Sequence, residues 1–317
     1  MPRARIAMWA KMATWFLLGF ALLAYLDRFY SSKFRNVTGD ASWIWLEVEP
    51  DREAPAVILV TRNVSVPAQR EYFRIKVAGD PEYVLYLNGR RIGSGGAPET
   101  GEIDLYEIDD GIVDGLNRIV IAGRSSTGYG GLIASIDFGP FKQNMLVTNE
   151  EWTVYQQWSP TLLHHDAPSL NPSRPWKLGK PPDGRWDFLS ARELPVGAPM
   201  GDPIEALSTF AIDGLLPEIR VVSGVAIAGV IAVPATVFDF GGVKGRLRVH
   251  QEESEETMAV RLRFASRPEE FEIPGEPVEI VIGKAETEFV SALSREFRLV
   301  AAYGEQLQLT VIPDEPR

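Results

Sequence analysis

His164-His165-Asp166 brings together two of the chain's three histidines and a carboxylate, a donor set suited to zinc or a similar ion. Neighbouring residues in an extended segment point to opposite sides, and no further donor stands nearby, so the expectation is no metal and no cofactor. His250 lies in an alternating run and reads as a strand residue. Gly93-Ser-Gly-Gly96 and Gly128-Tyr-Gly-Gly131 are glycine-rich, but neither leads into Lys-Ser or Lys-Thr at a helix start. They read as flexible loops at strand ends rather than phosphate cradles. Asp109-Asp110 and Glu252-Glu253 with Glu255-Glu256 would need one carboxylate desolvated to serve as acid and base, and they read as solvated turns. Ser208, Ser223 and Ser291 lack the context of a nucleophile elbow, and without cysteine there is neither thiolate chemistry nor a disulfide. Sugar recognition needs aromatic faces and planar polar groups, which Tyr83, Tyr86, Asn88, Arg90 and Tyr129 could present at one loop end. The competing role for these aromatics is cross-strand pairing.

The element with the clearest physical consequence is the apolar run Ile6 to Leu26, interrupted only by Lys11 and free of Asp and Glu. Its length of about 20 residues matches a hydrocarbon core of about 30 Å, and Lys11 is near enough to one end to snorkel. A cleaved signal peptide is the rival, since Arg3, Arg5 and Lys11 form a basic lead. The cleavage signal is poor, because Ala24 is preceded by Leu22 and followed by Tyr25-Leu-Asp-Arg. A retained signal-anchor is therefore expected, with Trp9 and Trp15 towards one interface and Tyr25, Phe29 and Tyr30 towards the other. Flanking charges nearly balance, so orientation follows the usual layout of a short tail before a large body: N-terminus cytoplasmic, C-terminal body periplasmic or extracellular. Ala10, Ala13, Thr14, Gly19, Ala21 and Ala24 leave small surfaces on which another membrane helix could pack.

The rest is acidic and aromatic. Net charge is −11, and residues 1–26 add three cations and no acids, so the body is more acidic still. That excludes nucleic acid as a partner, because only scattered pairs such as Arg90-Arg91 occur. At 45% hydrophobic with 8 Trp, the chain is too apolar for disorder. Short runs suited to strands follow one another: Ala56–Val60, Arg62–Val66, Tyr72–Val77, Tyr83–Leu87, Arg118–Ala122 and Leu132–Phe138. Asn88-Gly89 predicts a type I′ hairpin turn. Prolines 168, 172, 175, 181, 182, 195 and 199 predict an extended connector, laid over a domain by Trp176, Trp186 and Phe188. Alternation then predicts that Leu247, Val249, Val260, Leu262, Phe264, Leu307, Leu309 and Val311 face a second core. Ala226 to Val233, apolar throughout, reads as buried strand.

Taken in order, Trp43-Ile-Trp, Thr61-Arg-Asn-Val-Ser-Val-Pro, the Leu-Asn-Gly turn within Tyr83 to Gly93, Asp104-Leu-Tyr, Gly115-Leu-Asn-Arg-Ile-Val-Ile and Thr148-Asn-Glu-Glu-Trp152 resemble a known module. They are similar to the galactose-binding-like jelly-roll domains that accompany bacterial α-L-rhamnosidases, over residues 43–158. Val237-Phe-Asp-Phe-Gly-Gly-Val-Lys-Gly-Arg-Leu-Arg-Val resembles a strand segment of the accessory β domains of those enzymes. The resemblance implies accessory β modules without the helical barrel whose carboxylates carry out the enzymes' catalysis.

The expected fold class is all-β: an N-terminal transmembrane helix followed by two antiparallel β-sandwich, jelly-roll-like domains. The boundaries are 1–35 for anchor and flank, 36–160 for the first sandwich, 161–202 for the connector and 203–317 for the second. The expected function is a non-catalytic, single-pass accessory or scaffolding subunit of a larger membrane complex, respiratory, photosynthetic or secretory. Carbohydrate binding at the cell surface is the alternative.

Overall fold

The computed structural model describes residues 14–26, 37–47, 53–68, 71–96, 101–139, 146–181, 190–197, 202–222, 225–252, 254–291, 294–303 and 307–314. Residues 14–26 form a helix with every side chain exposed. Among the described residues no helix is long and apolar enough to cross a membrane. Ile6 to Ala13 of the expected span, with Phe29 and Tyr30 at its far end, lie outside the described residues.

The first body contains β1 (Trp43–Trp45), β2 (Ala56–Val66), β3 (Phe73–Asp80), β4 (Glu82–Leu87), β5 (Arg90–Gly96) and β6 (Glu102–Glu107). It continues with β7 (Gly115–Ser125), β8 (Gly131–Phe138), β9 (Leu146–Val147), β10 (Thr153–Tyr155), β11 (Trp176–Gly179) and β12 (Ser190–Leu194). One sheet runs β11-β1-β8-β3-β6-β12 with β9 on β8, and the other runs β10-β2-β7-β4-β5. The two runs expected around Arg62 are a single strand, β2, paired with β7 without interruption from Ala56↔Ser125 to Val66↔Gly115. Asn88 and Gly89 take φ of 51° and 84°, the positive pair that a type I′ turn requires.

Strand alternation explains the core. From the five-stranded sheet, Ile58, Val60, Tyr83, Leu85, Ile119 and Ile121 point inward, meeting Trp45, Phe73, Ile75 and Leu132 of the facing sheet. Their neighbours Val57, Leu59, Val84, Val120 and Ala122 point outward, yet they are buried too, in a cluster with Tyr155, Leu162 and Val281. This sheet is therefore covered on both faces, which is why its strands read as nearly continuous apolar runs.

The proline-rich connector is not a plain linker. β11 pairs with β1, and β12 pairs with β6 in parallel, so it supplies both edges of the larger sheet. Trp176 is half exposed there, while Trp186 and Phe188 lie outside the described residues.

The second body contains β13 (Ile204–Glu205), β14 (Ser208–Val222), β15 (Val225–His250), β16 (Met258–Ala265), β17 (Val278–Ile282), β18 (Glu288–Val290), β19 (Arg295–Tyr303) and β20 (Gln308–Pro313). These make one continuous eight-stranded antiparallel sheet, in which β15 pairs with β14, β18, β19 and β20. A single sheet can enclose a core because β15 changes partners along its length. It pairs with β19 over Ala235 to Gly245 and with β20 from Gly245 to His250. The bulge between Asp239 and Val243 uses Gly241 and Gly242 at φ of 72° and 93°. Leu247, Val249, Val260, Leu262, Leu307, Leu309 and Val311 share one buried cluster as expected, with Phe264 packed against it.

Arg124 on β7 fastens the two bodies. It donates to both carboxylate oxygens of Glu286 at 2.6 and 2.8 Å and to the Val281 carbonyl at 2.8 Å. Glu286 also accepts from the Gly283 N–H at 2.9 Å, and both side chains of the ion pair are 3% exposed. The guanidinium carbon lies 4.3 Å from the Phe289 ring centroid. Burial pulls the Arg124 pKa down, but the charge and hydrogen bonds of Glu286, with help from Glu82, more than reverse that.

Two predictions follow from this geometry. Glu286→Gln leaves a buried guanidinium with only the more distant Glu82, 3.8 Å away, as counter-charge, so urea unfolding should show a loss of about 3 kcal/mol, with Arg124→Met/Glu286→Leu recovering most of it. A loss as large in the double variant would show that the bidentate pair is itself a major source of stability. The second concerns Asp239, whose carboxyl is held below the ordinary range chiefly by the Arg298 hydrogen bond; burial opposes this and the Gly241 N–H reinforces it. A lowered folded pKa gives stability that is present above the unfolded value of about 3.9 and lost as pH falls through the folded value. The urea midpoints of wild type and Asp239→Asn should therefore converge on acidification, and a constant gap would assign the bulge's stability elsewhere.

Candidate functional site

The outward face of β7 presents Arg118 and Arg124 in line with Val120 and Ala122, since alternate residues share a face. Arg118 donates to the Leu162 carbonyl at 2.7 Å and pairs with Asp166 at 3.0 Å. Asp166 also accepts from the Tyr155 hydroxyl at 3.3 Å. The His164-His165-Asp166 donors are engaged separately. Asp166 serves Arg118, and the His164 ring occupies the space that a side chain at Gly89 would fill. The rings of His164 and His165 lie 6.3 Å apart, and among the described residues no group of three His, Cys, Asp or Glu could hold a metal.

The five residues considered for sugar contact do not converge on one surface. Tyr83 is fully buried, donating to Asp104 at 2.6 Å and lying 3.0 Å from the Tyr106 hydroxyl. Burial and these neighbours raise its pKa far above the ordinary phenol value, and burial pushes Tyr106 up to about 12. Arg192 of β12 donates to Asp104 at 2.6 Å, so this network ties the connector to the core. Tyr83 is thus corrected from ligand contact to core residue. Tyr86 packs on Trp158 at the domain junction, with ring centroids 6.0 Å apart. Asn88 is held in its turn, donating to the Gly111 carbonyl and to Asn117 Oδ1, each at 2.8 Å. Arg90 is exposed beside that turn, and Tyr129 is half-buried after β7.

Both glycine runs are packing devices rather than flexible loops. Gly93 lies within β5, where a Cβ would come 2.3 Å from the Tyr106 ring. At Gly130 a Cβ would come 2.5 Å from the Trp45 indole. Of the expected helix-packing residues, Thr14, Gly19, Ala21 and Ala24 are exposed on the helix, while Ala10 and Ala13 lie outside the described residues.

Two features escaped the sequence reading. The first is a two-stranded arm. β14 and β15 pair without a bulge from Ser208↔Asp239 to Val222↔Val225. Its base packs through Leu216, Ala235 and Val237 against Phe271, Leu299 and Tyr303. Among the described residues, the two strands pair only with each other beyond Pro217 and Val230, and Ile219, Ile227 and Val230 are 76%, 49% and 52% exposed. The run Ala226 to Val233 is strand, as expected, but mostly exposed rather than buried.

The second is a cleft of about 120 Å³ where β5, the end of the connector and β15 meet. Arg91 and Arg246 line it, with Ser94, Tyr106, Leu194 and Pro195. Arg91 donates to Ser94 Oγ at 2.9 Å, and Arg246 Nε is buried without a hydrogen-bond partner. Burial lowers the Arg91 pKa, and the positive charges of Arg246 and Arg124 lower it further against the opposing effect of Tyr86 and Tyr106. The two residues are far apart in sequence, so no local motif marks them.

No protein-family model matches the chain, and no curated protein matches it by sequence. Among solved structures, the α-L-rhamnosidase of Dictyoglomus thermophilum is similar at a TM-score of 0.50 and 16% identity, covering 86% of this chain and 35% of that one. The α-L-rhamnosidase of Aspergillus terreus is similar at 0.54 and 16% identity, covering 87% and 36%. This chain spans about a third of the length of those enzymes. The shared part is too long to be the first body alone, so the fold common to this chain and the α-L-rhamnosidases takes in both β bodies.

Proposed function

We propose that this chain is a non-catalytic accessory or scaffolding subunit of a membrane assembly. Ile6 to Leu26 tethers it with the N-terminus cytoplasmic, the β bodies stand on the periplasmic or extracellular side, and the β14–β15 arm docks on a neighbouring subunit. The observation that carries this reading is the arm: an apolar ribbon leaving a well-packed body with Ile219, Ile227 and Val230 uncovered. A lone two-stranded ribbon is at best marginal in water, and its open edges call for further backbone partners. Those edges favour a protein over lipid, since unpaired strand edges are excluded from a hydrocarbon core. The exposed helix adds support, with Gly19 open beside Trp15, Phe16 and Leu23, a surface on which a membrane helix could pack closely.

The test is purification of the full-length protein from its own membranes in mild detergent, with mass measurement of the intact particle. Ile219→Ser/Ile227→Ser/Val230→Ser should keep the fold by circular dichroism and lose most of the assembled species. A free monomer from wild type, or full assembly of the variant, would overturn the reading. The fold shared with α-L-rhamnosidases favours a second reading, carbohydrate recognition at the cell surface. A glycan array probed with the same protein decides it, and absence of binding to any sugar removes it.

A further inference from the structure

The cleft at the domain junction stands apart from the arm and calls for its own account. Two guanidiniums from different bodies, Arg91 and Arg246, line one small cavity. Each has five donors, and a guanidinium fork matches a planar or tetrahedral oxyanion. Every other interbody or connector cation described above has a carboxylate: Arg124 has Glu286, Arg118 has Asp166 and Arg192 has Asp104. Among the described residues Arg91 and Arg246 have no ion pair, although Glu82 acts on Arg91 from a distance through its charge. Arg248, two residues beyond Arg246 on the same strand, donates to both oxygens of Glu288 at 2.9 Å. Of the two arginines on this strand, Arg246 is the one without a carboxylate partner among the described residues.

We infer that the cleft is a binding site for one small oxyanion group, a phosphate, sulfate or carboxylate, bridged between Arg91 of the first body and Arg246 of the second. At about 30 Å³ per water, the cavity has room for roughly four waters, which suits one such group. Ile92 at the edge of the core, with Leu194 and Pro195, supplies an apolar wall that raises the worth of each charge-assisted hydrogen bond inside. Tyr106 also lines the cleft, and the positive charges of both arginines lower its pKa against the larger effect of burial. The anion would come either from a free ion or from the acidic group of a sugar whose ring stays outside the cleft. An occupied site joins the two bodies through a second electrostatic link besides Arg124 and Glu286.

Isothermal titration and thermal unfolding of the full-length protein near neutral pH test this, with inorganic phosphate, galacturonate and the neutral control galactose added at constant ionic strength in chloride. Phosphate should bind and raise the unfolding temperature of wild type. Arg246→Gln should weaken binding about tenfold or more, the scale of one lost charge-assisted pair. Its ligand-free unfolding temperature should stay level or rise, because one of two like charges is gone; a variant that merely misfolds would lose both. Arg91→Gln should weaken binding similarly. Phosphate binding identifies a free oxyanion site, and tight galacturonate binding with inert galactose identifies an acidic sugar; either supports the inference. It is overturned if neither anion is distinguished from chloride, if both variants bind as wild type does, or if galactose binds as well as galacturonate. None of these outcomes depends on whether the arm assembles.

Discussion

The Arg124–Glu286 pair is the constraint on which the arrangement of the two bodies depends. Apolar contact alone, between Val57, Leu59 and Val84 on one side and Val281 on the other, would tolerate sliding because it has no direction. The bidentate pair has direction, and Gly283 permits close seating: a Cβ there would come 3.2 Å from Trp158 and 3.4 Å from Val57. Taking a guanidinium and a carboxylate out of water is expensive, and a well-packed apolar pair could equal their net contribution. What the pair adds is intolerance of any other docking, since a displaced second body would strip Glu286 of its partner and leave Arg124 only the more distant Glu82. The Arg91–Arg246 cleft exists only because that docking is fixed.

The same constraint explains the composition of the five-stranded sheet. A sandwich with one wet sheet would show polar residues at alternate positions of β2, β4 and β7. Here Val57, Leu59, Val84, Val120 and Ala122 take those positions, and the only charges on that face of β7, Arg118 and Arg124, each meet a partner from beyond the sandwich. The connector contributes in a related way. Prolines at 172 and 175 precede β11, those at 181 and 182 follow it, and 195 closes β12, so each strand occupies a proline-free interval. As the sheet's two edges, these strands need pairing on one side only, which is where proline-flanked strands are tolerated.

Much of the fold was legible because it is written in local periodicity. The Asn88-Gly89 turn and the inward residues Leu247, Val249, Leu309 and Val311 need only their immediate neighbours to be read. What was illegible depended on distant partners. Gly93 and Gly130 looked like flexible loops because the rings of Tyr106 and Trp45 that exclude a side chain there come from other strands. Tyr83 was considered for a ligand because a tyrosine near a turn looks the same whether its hydroxyl meets solvent or Asp104. Arg91 and Arg246 form a site only through the docking of two bodies, a relation that no sequence window contains.

The arm shows the same limit from the other direction. An apolar strand buried in a core and one left bare have the same composition, so Ala226 to Val233 was assigned to the interior. Bare apolar strands usually carry guards: charges, prolines or bulges that discourage pairing with another chain. Over residues 208–234 such guards are Pro217 and Pro234 with the charges Asp213, Glu218 and Arg220, and Glu218 and Arg220 neutralise each other in an ion pair. β14 and β15 run through this region with no bulge. The body beneath is acidic enough to keep its own surface well solvated, so the scarcity of unneutralised charge is local to the arm. In a ribbon anchored at its base by Leu216 and Val237, the charges beyond Pro217 on β14 cancel in one ion pair beside the exposed Ile219 and Ile227, and that combination supports the docking role proposed for the arm.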